Sequence, residues 1–312
     1  MDKFKLVTPV AFIVFNRLDC AMEVFEKIRQ AKPEKLYVIA DGARADRAGE
    51  AEKVNAVRHY IESNIDWECQ VQYNYSDKNL GSKYRIYSGL NWVFSQEEQA
   101  IVLEDDCVPS EDFFRYCQEL LQLYAHDSNV WMISGINVLR NQDSKEQYFF
   151  AKFSEIWGWA TWKRAWAQID IEMDSWPAAR KEGALKYAYD FFSYRCYLRE
   201  ADHQVESRRD AWDIPWRYTM LLHHGLGIVP KENMVSNIGC GRADASNTTE
   251  PVDTDFSYGK TLVFPLERQQ IKADKKYDKT CLKTGAGIRK ELRYIKYLFT
   301  RIIPKMKACM KK

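Results

Sequence analysis

Three consecutive carboxylates, Glu104, Asp105 and Asp106, are the residues of this 312-residue chain whose types and spacing best fit chemistry. They follow the apolar run at 101–103, so three negative charges crowd the end of a predicted buried strand. Such crowding is unfavourable unless a cation or hydrogen-bond donors offset the repulsion. Carboxylates placed in this way can hold a divalent cation that neutralises charge on a departing phosphate. An alternative is that they cap the helix predicted to begin near Ser110.

The elements that must position these acids form an alternating pattern. Apolar runs at 9–15, 36–40 and 101–103 predict strands buried on both faces, a run at 71–75 alternates like a half-exposed strand, and two later runs are further strand candidates. The strands are predicted at 9–15, 36–40, 71–75 (the alternating run), 101–103, 130–134 and 227–230. The helices between the first four are predicted at 21–28, 51–61 and 84–94, and a charged helical stretch at 178–203. The order β-α-β-α-β-α-β predicts an α/β fold with a doubly wound or related nucleotide-binding sheet.

Polar residues follow three of these strands at the point where each ends. They are Asn16-Arg17, Asp41-Gly42 and the acidic triplet. In such sheets ligands bind outside the carboxyl ends of the strands. Polar residues also end strands simply because loops are wet, but three such ends together indicate one shared site.

The segment VLEDDCVPSEDFF at 102–114 resembles the metal-binding segment of GT-A glycosyltransferases, most closely the N-acetylglucosaminyltransferase I type. In that family an acidic triplet is followed by Asp-Phe-Phe at the start of a helix. The resemblance covers about residues 8–240 and extends to bacterial envelope-polysaccharide glycosyltransferases. It implies a GT-A (Rossmann-like) mixed, mainly parallel sheet flanked by helices, a nucleoside diphosphate sugar donor, foremost a UDP-sugar, and Mn²⁺ or Mg²⁺ as cofactor.

The resemblance also implies roles for residues near the nucleotide. It assigns Asp106 to the metal and Asp105 to the ribose, with Glu104 in support of nucleotide-sugar binding. Arg17 is similar to the arginine that approaches the diphosphate, although Asn16 replaces the usual Asp before it. Asp41 is similar to the carboxylate that recognises the base.

A loop and helix start at 79–84 correspond to a segment beside the nucleotide. Its backbone amides and Lys83 suit an anionic ligand. Farther along the chain, a Gly-rich loop at 235–244 could close over the donor and contribute Arg242 to the phosphates.

Aromatic residues are expected to shape the acceptor side. Trp157-Gly158-Trp159 is similar to the family's Gly-Leu-Gly-Trp region near the donor and acceptor sugars, with the first Gly absent. Indole faces pack well on a pyranose, but three tryptophans in six residues also fit a core. An inverting transferase needs a general base for the acceptor hydroxyl, and the resemblance points to Asp213, next to Trp212. Asp213 equally fits the start of a helix that has Pro215 in its first turn.

Composition narrows the remaining possibilities. Eight scattered cysteines with no CxxC pair favour reduced thiols in the cytoplasm, and no apolar stretch reaches the length of a membrane span. Residues 287–312 carry nine Lys/Arg and one acid, a net +8, so the whole-chain charge of +2 leaves about −6 for residues 1–286. That balance argues against nucleic-acid binding by the main domain.

The basic tail has an apolar residue every three or four positions. We therefore predict a transferase domain at 1–286 and a basic amphipathic helix at 287–312, split by Pro304. Such a helix suits the inner face of an anionic cytoplasmic membrane, where a lipid-linked glycan acceptor would lie. A helix packed on the body is the alternative.

The expected function is transfer of a hexosyl or N-acetylhexosaminyl group from the nucleotide sugar to a glycan or glycolipid. A sugar-phosphate nucleotidyltransferase is one alternative, but the glycines it normally has after the first strand are absent from residues 14–18. A non-catalytic sugar-binding protein is the other.

Overall fold

A computed structural model describes residues 4–139, 146–242 and 262–284 of the chain. The strands are β1 (Val10–Val14), β2 (Lys35–Ala40), β3 (Gln70–Tyr75), β4 (Gln99–Glu104), β5 (Cys107–Pro109), β6 (Val130–Ser134), β7 (Tyr148–Ala151), β8 (Trp159–Trp162), β9 (Leu226–Pro230) and β10 (Val235–Asn237). The helices are α1 (Leu18–Ala31), α2 (Glu50–Ser63), α3 (Gly81–Phe94), α4 (Glu111–Leu123), α5 (Lys163–Trp166), α6 (Trp176–Glu182), α7 (Phe191–Ser207), α8 (Asp213–Leu222) and α9 (Lys275–Thr284), with a 3₁₀ turn at Lys186–Ala188.

Eight of the strands form one sheet in the order β3-β2-β1-β4-β8-β6-β9-β7. β1 lies between β2 and β4 and is parallel to both, and β3 extends the parallel set at the edge. β8 and β7 run antiparallel to their neighbours, so the other six strands share one direction. The sheet is therefore mixed, mainly parallel and flanked by helices, and the predicted Rossmann-like fold class is confirmed.

Burial on both faces explains why β1 is a continuous apolar run. Val10, Phe12 and Val14 pack into the core shared with α1 and α4. Ala11 and Ile13 point to the opposite face, where α3 and a group of tryptophans pack. Alternate side chains of a strand face opposite sides of its sheet, so this one strand anchors both layers.

A third apolar cluster lies beyond the sheet and joins α6, α7 and α8. Trp176 packs edge-on against Tyr197 and Tyr218, with ring centroids 5.8 and 5.7 Å apart. This cluster fixes the direction of α8, the helix that begins at Asp213.

The predicted β-α-β-α-β-α-β order of the first hundred residues is confirmed, as are strands at 130–134 and 227–230. The single helical stretch predicted at 178–203 is wrong: α6 ends at the left-handed Gly183, and α7 begins only at Phe191. The half-exposed strand at 71–75 is the edge strand β3, which has no fully buried residue. No helix in the described part of the chain is long and apolar enough to cross a bilayer. The predicted basic helix at 287–312 lies outside the described residues.

Helix α3 approaches β2 closely at Gly89, where an added Cβ would lie 2.6 Å from Cγ2 of Ile39. We expect Gly89→Ala to lower the free energy of unfolding by about 1–2 kcal/mol, because overpacking outweighs alanine's better helix propensity. Urea denaturation followed by tryptophan fluorescence measures the change. Ser88→Ala, at the exposed neighbouring position, is the control and should be near neutral. A Gly89→Ala protein as stable as the wild type would contradict the close packing.

Candidate functional site

The acidic triplet lies at the carboxyl end of β4 and turns directly into β5. Glu104 is the last residue of β4, and Asp105 and Asp106 form the turn. The triplet does not cap α4, because β5 stands between them and α4 begins only at Glu111. The helix-cap alternative is therefore excluded.

Arg17, at the end of the loop after β1, binds two of the three acids. Its Nη2 donates to Oδ1 of Asp105 and lies 2.9 Å from Oδ2 of Asp106. The predicted convergence of the first and fourth strand ends is thus observed, because β1 and β4 are adjacent and parallel. Removing one partner of a largely buried ion pair leaves an uncompensated charge, so the three residues form one unit.

The arginine compensates this negative charge only in part. Burial raises the pKa of Glu104 to about 8, and the Asp106 and Asp105 charges add to that shift. Burial also raises the pKa of Asp105 to about 6, although Arg17 favours its charged form. Within the described residues, no donor bonds to the Glu104 carboxylate. The end of β4 therefore keeps capacity for a cation or for further hydrogen-bond donors.

A cavity of about 790 Å³ opens along the carboxyl ends of β1, β2 and β4. Its volume is in the range of small-molecule and cofactor sites. Its charged lining residues are Arg17, Arg44, Arg47, Lys53, Arg85 and Arg209 on the basic side and Asp41, Glu50, Glu104, Asp105 and Asp210 on the acidic side.

Most of the acids in this lining already have donors, whereas several cations do not. Glu50 accepts from Arg44 and from the amide of Asn16, and Asp105 accepts from Arg17. Among the described residues, Arg47 and Lys53 make no ion pair and no side-chain hydrogen bond. The cavity therefore presents unpaired positive charge and suits an anionic ligand.

Asp41, predicted to recognise the base, lies in the cavity wall and organises the loop opposite. Its Oδ1 accepts from the backbone N–H groups of Gly42 and Leu80 at 2.9 Å each. Its Oδ2 accepts from Gly81 N at 3.1 Å and from Asn79 Nδ2 at 3.0 Å. Burial raises the pKa of Asp41 while these backbone donors oppose the shift. The Asp41 carboxylate therefore holds the loop at 79–81 in place through hydrogen bonds.

The N-terminus of α3, predicted to receive an anionic ligand, holds a carboxylate of the chain itself. Asp210 accepts from Ser82 N at 2.9 Å and from Lys83 N at 2.6 Å. The Lys83 side chain is buried, and its Nζ pairs with Oε2 of Glu172 at 2.8 Å instead of lining the cavity. The prediction that Lys83 faces the nucleotide is corrected accordingly.

Two of the three predicted sugar-contacting tryptophans belong to the core. Trp159 and Trp212 are almost fully buried, and their rings stack with centroids 5.4 Å apart. Trp159 also contacts Trp216 at 5.7 Å. Because their faces are covered by other indoles, they cannot stack on a sugar. The predicted sugar contact is therefore wrong for Trp159 and Trp212, which are core residues. Trp157 is only partly buried, so its predicted role stays a prediction.

Asp213, the predicted base, is the first residue of α8. Its charge reaches Glu104 and contributes to raising the pKa of that carboxyl. Within the described part of the chain, no donor bonds to the Asp213 side chain, which is only partly buried. The side chain thus lies near the triplet with its carboxylate available.

A short segment after β10 covers Asp106. Ile238 N donates to the Asp106 carbonyl at 2.9 Å, and Asn237 Nδ2 lies 3.4 Å from Oδ1. A Cβ at Gly239 would lie 2.1 Å from Oδ2 of Asp106, so a larger residue there would displace the Asp106 carboxylate. Arg242, predicted to bind phosphate, donates to Asp19 at 2.7 Å. The loop beyond it lies outside the described residues.

The side chains at this edge fit a divalent cation that is shared with a ligand. No group of three or more His, Cys, Asp or Glu side chains in the described ranges could hold a metal unaided. Mg²⁺ and related hard cations are commonly held by one or two carboxylates together with substrate phosphates. Asp106, with Glu104 beside it, supplies that minimal set of oxygen donors.

Two residues of the site, Asp210 and Glu50, were not predicted from the sequence. Asp210 belongs to the same short segment as Asp213, but its hydrogen bonds to α3 join residues more than 120 positions apart. No local sequence pattern indicates bonds of that kind. Glu50 is the first residue of α2, where an acidic side chain is usually explained by its favourable interaction with the helix dipole. Only its contacts with Arg44 and Asn16 place it at the cavity.

Comparison with known proteins gives distant similarities. The chain is similar to a mannosyltransferase from Pyrobaculum calidifontis in complex with GDP-Man and Mn²⁺, with 16% identity over 72% of this chain and 73% of that one, at a TM-score of 0.36. It is similar to a UDP-glucose pyrophosphorylase complexed with UDP-glucose (11% identity, 50% and 76% covered, TM-score 0.29). HddC from Yersinia pseudotuberculosis gives 10% identity, 50% and 77% covered, and a TM-score of 0.30. No family model and no curated protein matches the chain. Similarities this distant do not establish the function of the chain.

Asp41→Asn tests whether this carboxylate holds the loop. The new amide would place a donor against the N–H groups that Asp41 now accepts from, so we expect a loss of about 1–3 kcal/mol in the free energy of unfolding. Chemical denaturation measures it. Asp46→Asn, at an exposed site nearby, is the control and should change stability little. Equal stability of the two variants would show that the loop does not depend on Asp41.

Proposed function

We propose that the chain is a metal-dependent glycosyltransferase that uses a nucleoside diphosphate sugar, foremost a UDP-sugar. One observation carries the proposal: Arg17 joins Asp105 and Asp106 at the edge of a cavity that presents unpaired cations. A cavity with unpaired cations, beside an acidic turn that Arg17 compensates only in part, suits a diphosphate that carries negative charge and shares a divalent cation with the protein.

The donor would lie along the carboxyl ends of β1, β2 and β4. Arg17, Arg47 and Lys53 would face the diphosphate, with Asp105 near the ribose and Asp41 near the base. Asp106, supported by Glu104, would hold Mn²⁺ or Mg²⁺. When bound, such a cation neutralises charge on the leaving diphosphate.

Asp213 would act as the general base on the acceptor side. Its carboxylate would take the proton of the acceptor hydroxyl as that oxygen attacks the anomeric carbon, with inversion of configuration. Two features support the role: the side chain bonds to no donor in the described structure, and it lies close enough to influence Glu104. The start of a helix also places it rigidly.

The acceptor in this proposal is a glycan or a lipid-linked glycan of a bacterial envelope polysaccharide. Association with the inner face of the cytoplasmic membrane through residues 287–312 is part of the same proposal. Its support is the net +8 charge of that segment in the sequence.

Asp106→Ala tests the metal site. We expect the affinity for UDP in the presence of Mn²⁺ to fall about a hundredfold, because the variant loses the carboxylate that shares the cation with the diphosphate. Isothermal titration with UDP, with and without Mn²⁺, measures the change. Asp174→Ala, an exposed aspartate in the segment before α6, is the control. Retained Mn²⁺-dependent UDP binding by Asp106→Ala would exclude this residue as the metal ligand.

Asp213→Asn tests the base with almost no change of shape. We expect UDP and Mn²⁺ to bind within about twofold of the wild-type affinity, while turnover falls about 10²- to 10⁴-fold, the usual contribution of general-base catalysis. A screen of UDP-, GDP- and dTDP-sugars for hydrolysis by the wild type first identifies the donor. Hydrolysis and transfer of that donor are then compared in the two proteins. An active Asp213→Asn enzyme would falsify the assignment.

A further inference from the structure

A second, much smaller cavity lies beside Asp213, between α8 and the connection from β7 to β8. Its volume of about 30 Å³ admits a single small polar group. Its floor is apolar and consists of Met132, Ile156, Trp216 and Met220. Its rim carries four charged side chains, which are Lys152, Glu155, Asp213 and Arg217, and the hydroxyl of Ser154.

The cations around this cavity are already matched by acids outside its lining. Nη2 of Arg217 lies 3.1 Å from Oε2 of Glu200. Nζ of Lys152 lies 3.8 Å from Oδ2 of Asp278. Each of these two cations therefore has an acidic partner outside the cavity lining.

Two rim carboxylates, by contrast, have no such partner. In the part of the chain that the structure describes, no N–H or O–H group bonds to the carboxylate oxygens of Glu155 or Asp213, although the Ser134 hydroxyl donates to the backbone carbonyl of Glu155. Glu155 is exposed, yet surrounding protein depletes its hydration and raises its pKa, with Arg217 opposing and Asp213 adding to the shift. The cavity thus offers acceptors for hydrogen bonds in a setting of excess negative charge.

We propose that this cavity is an acceptor subsite that takes an uncharged hydroxyl or hydroxymethyl group of a sugar, and that Glu155 selects against acidic sugars. The apolar floor packs against the carbon of the hydroxymethyl group, and Glu155 accepts the hydrogen bond of its hydroxyl. A uronate would bring a carboxylate against Glu155 and Asp213 and is repelled. The inference rests on the proposed function, since Asp213 makes this the acceptor side.

Glu155 would be a specificity-determining residue with no part in donor binding. It lines the small cavity beside Asp213, and the lining of the donor cavity does not include it. Its substitution should therefore change which sugar is accepted and leave the binding of UDP and Mn²⁺ unchanged.

The experiment uses Mn²⁺ as a paramagnetic probe. Proton spectra of methyl β-D-glucoside and methyl β-D-galactoside are recorded with the full chain, UDP and Mn²⁺, and with Mg²⁺ as the diamagnetic reference. The matched acidic probes are methyl glucuronide and methyl galacturonide, which differ only in the group at C6. We expect Mn²⁺-dependent broadening of the neutral glycosides and about fivefold less of the uronates, the size of one like-charge contact near water.

Glu155→Gln keeps the shape of the side chain and removes its charge, so the fivefold ratio of neutral to acidic probe broadening should fall towards one. The matched control is Glu68→Gln, an exposed glutamate just before β3 and remote from the cavity, which should keep the fivefold difference. Equal broadening of both probe classes by the wild type, an unchanged difference in Glu155→Gln, or no broadening at all would overturn the subsite. Calorimetry of UDP with Mn²⁺ is run on the same samples. The proposed function predicts that the wild type and both variants bind UDP with Mn²⁺, so loss of that binding would contradict the proposed function, whereas retained binding with unexpected broadening would contradict only the subsite.

Discussion

The shared ion pair of Arg17 with Asp105 and Asp106 is the interaction on which the site depends. Three carboxylates at the end of a buried strand would repel one another, and one guanidinium from the neighbouring strand end restrains two of them. The parallel pairing of β1 with β4 brings these groups together, and burial of β1 on both faces fixes that pairing. A partly compensated acidic turn therefore lies at the carboxyl ends of two central strands, β1 and β4.

Two further carboxylates connect this turn to the rest of the cavity. Asp41 holds the loop at 79–81 through backbone donors, and Asp210 caps α3 directly after that loop. Because Asp210 lies three residues before Asp213, the same bonds link the loop at 79–81 to the segment that leads into α8. The glycine at 81 is required in that link, since its φ is +76° and a Cβ would lie 2.6 Å from Asp210. The loop at 79–81 is thus held by Asp41 on one side and connected through Asp210 to the start of α8 on the other.

Much of the first half of the chain could be predicted from the sequence. Fully buried strands give apolar runs, helices between them give periodic patterns, and parallel strand ends must meet at one edge, so Arg17 and the triplet could be placed together in advance. The position of the Lys83 side chain could not be predicted, because its partner Glu172 is distant in sequence and no residue near Lys83 indicates the pairing. Trp159 and Trp212 were ambiguous, because an indole suits a core and a sugar platform equally, and only their mutual stacking decides. Glu155 follows a short strand in an irregular connection and belongs to no pattern, so only the fold brings it to Asp213.

The most direct test of the proposed function is a crystal structure with UDP and Mn²⁺, with anomalous scattering recorded at the manganese absorption edge. The account predicts one manganese peak bonded to the Asp106 carboxylate and to the diphosphate, with UDP in the cavity along β1, β2 and β4. A manganese peak away from Asp106, or UDP bound outside that cavity, would contradict it.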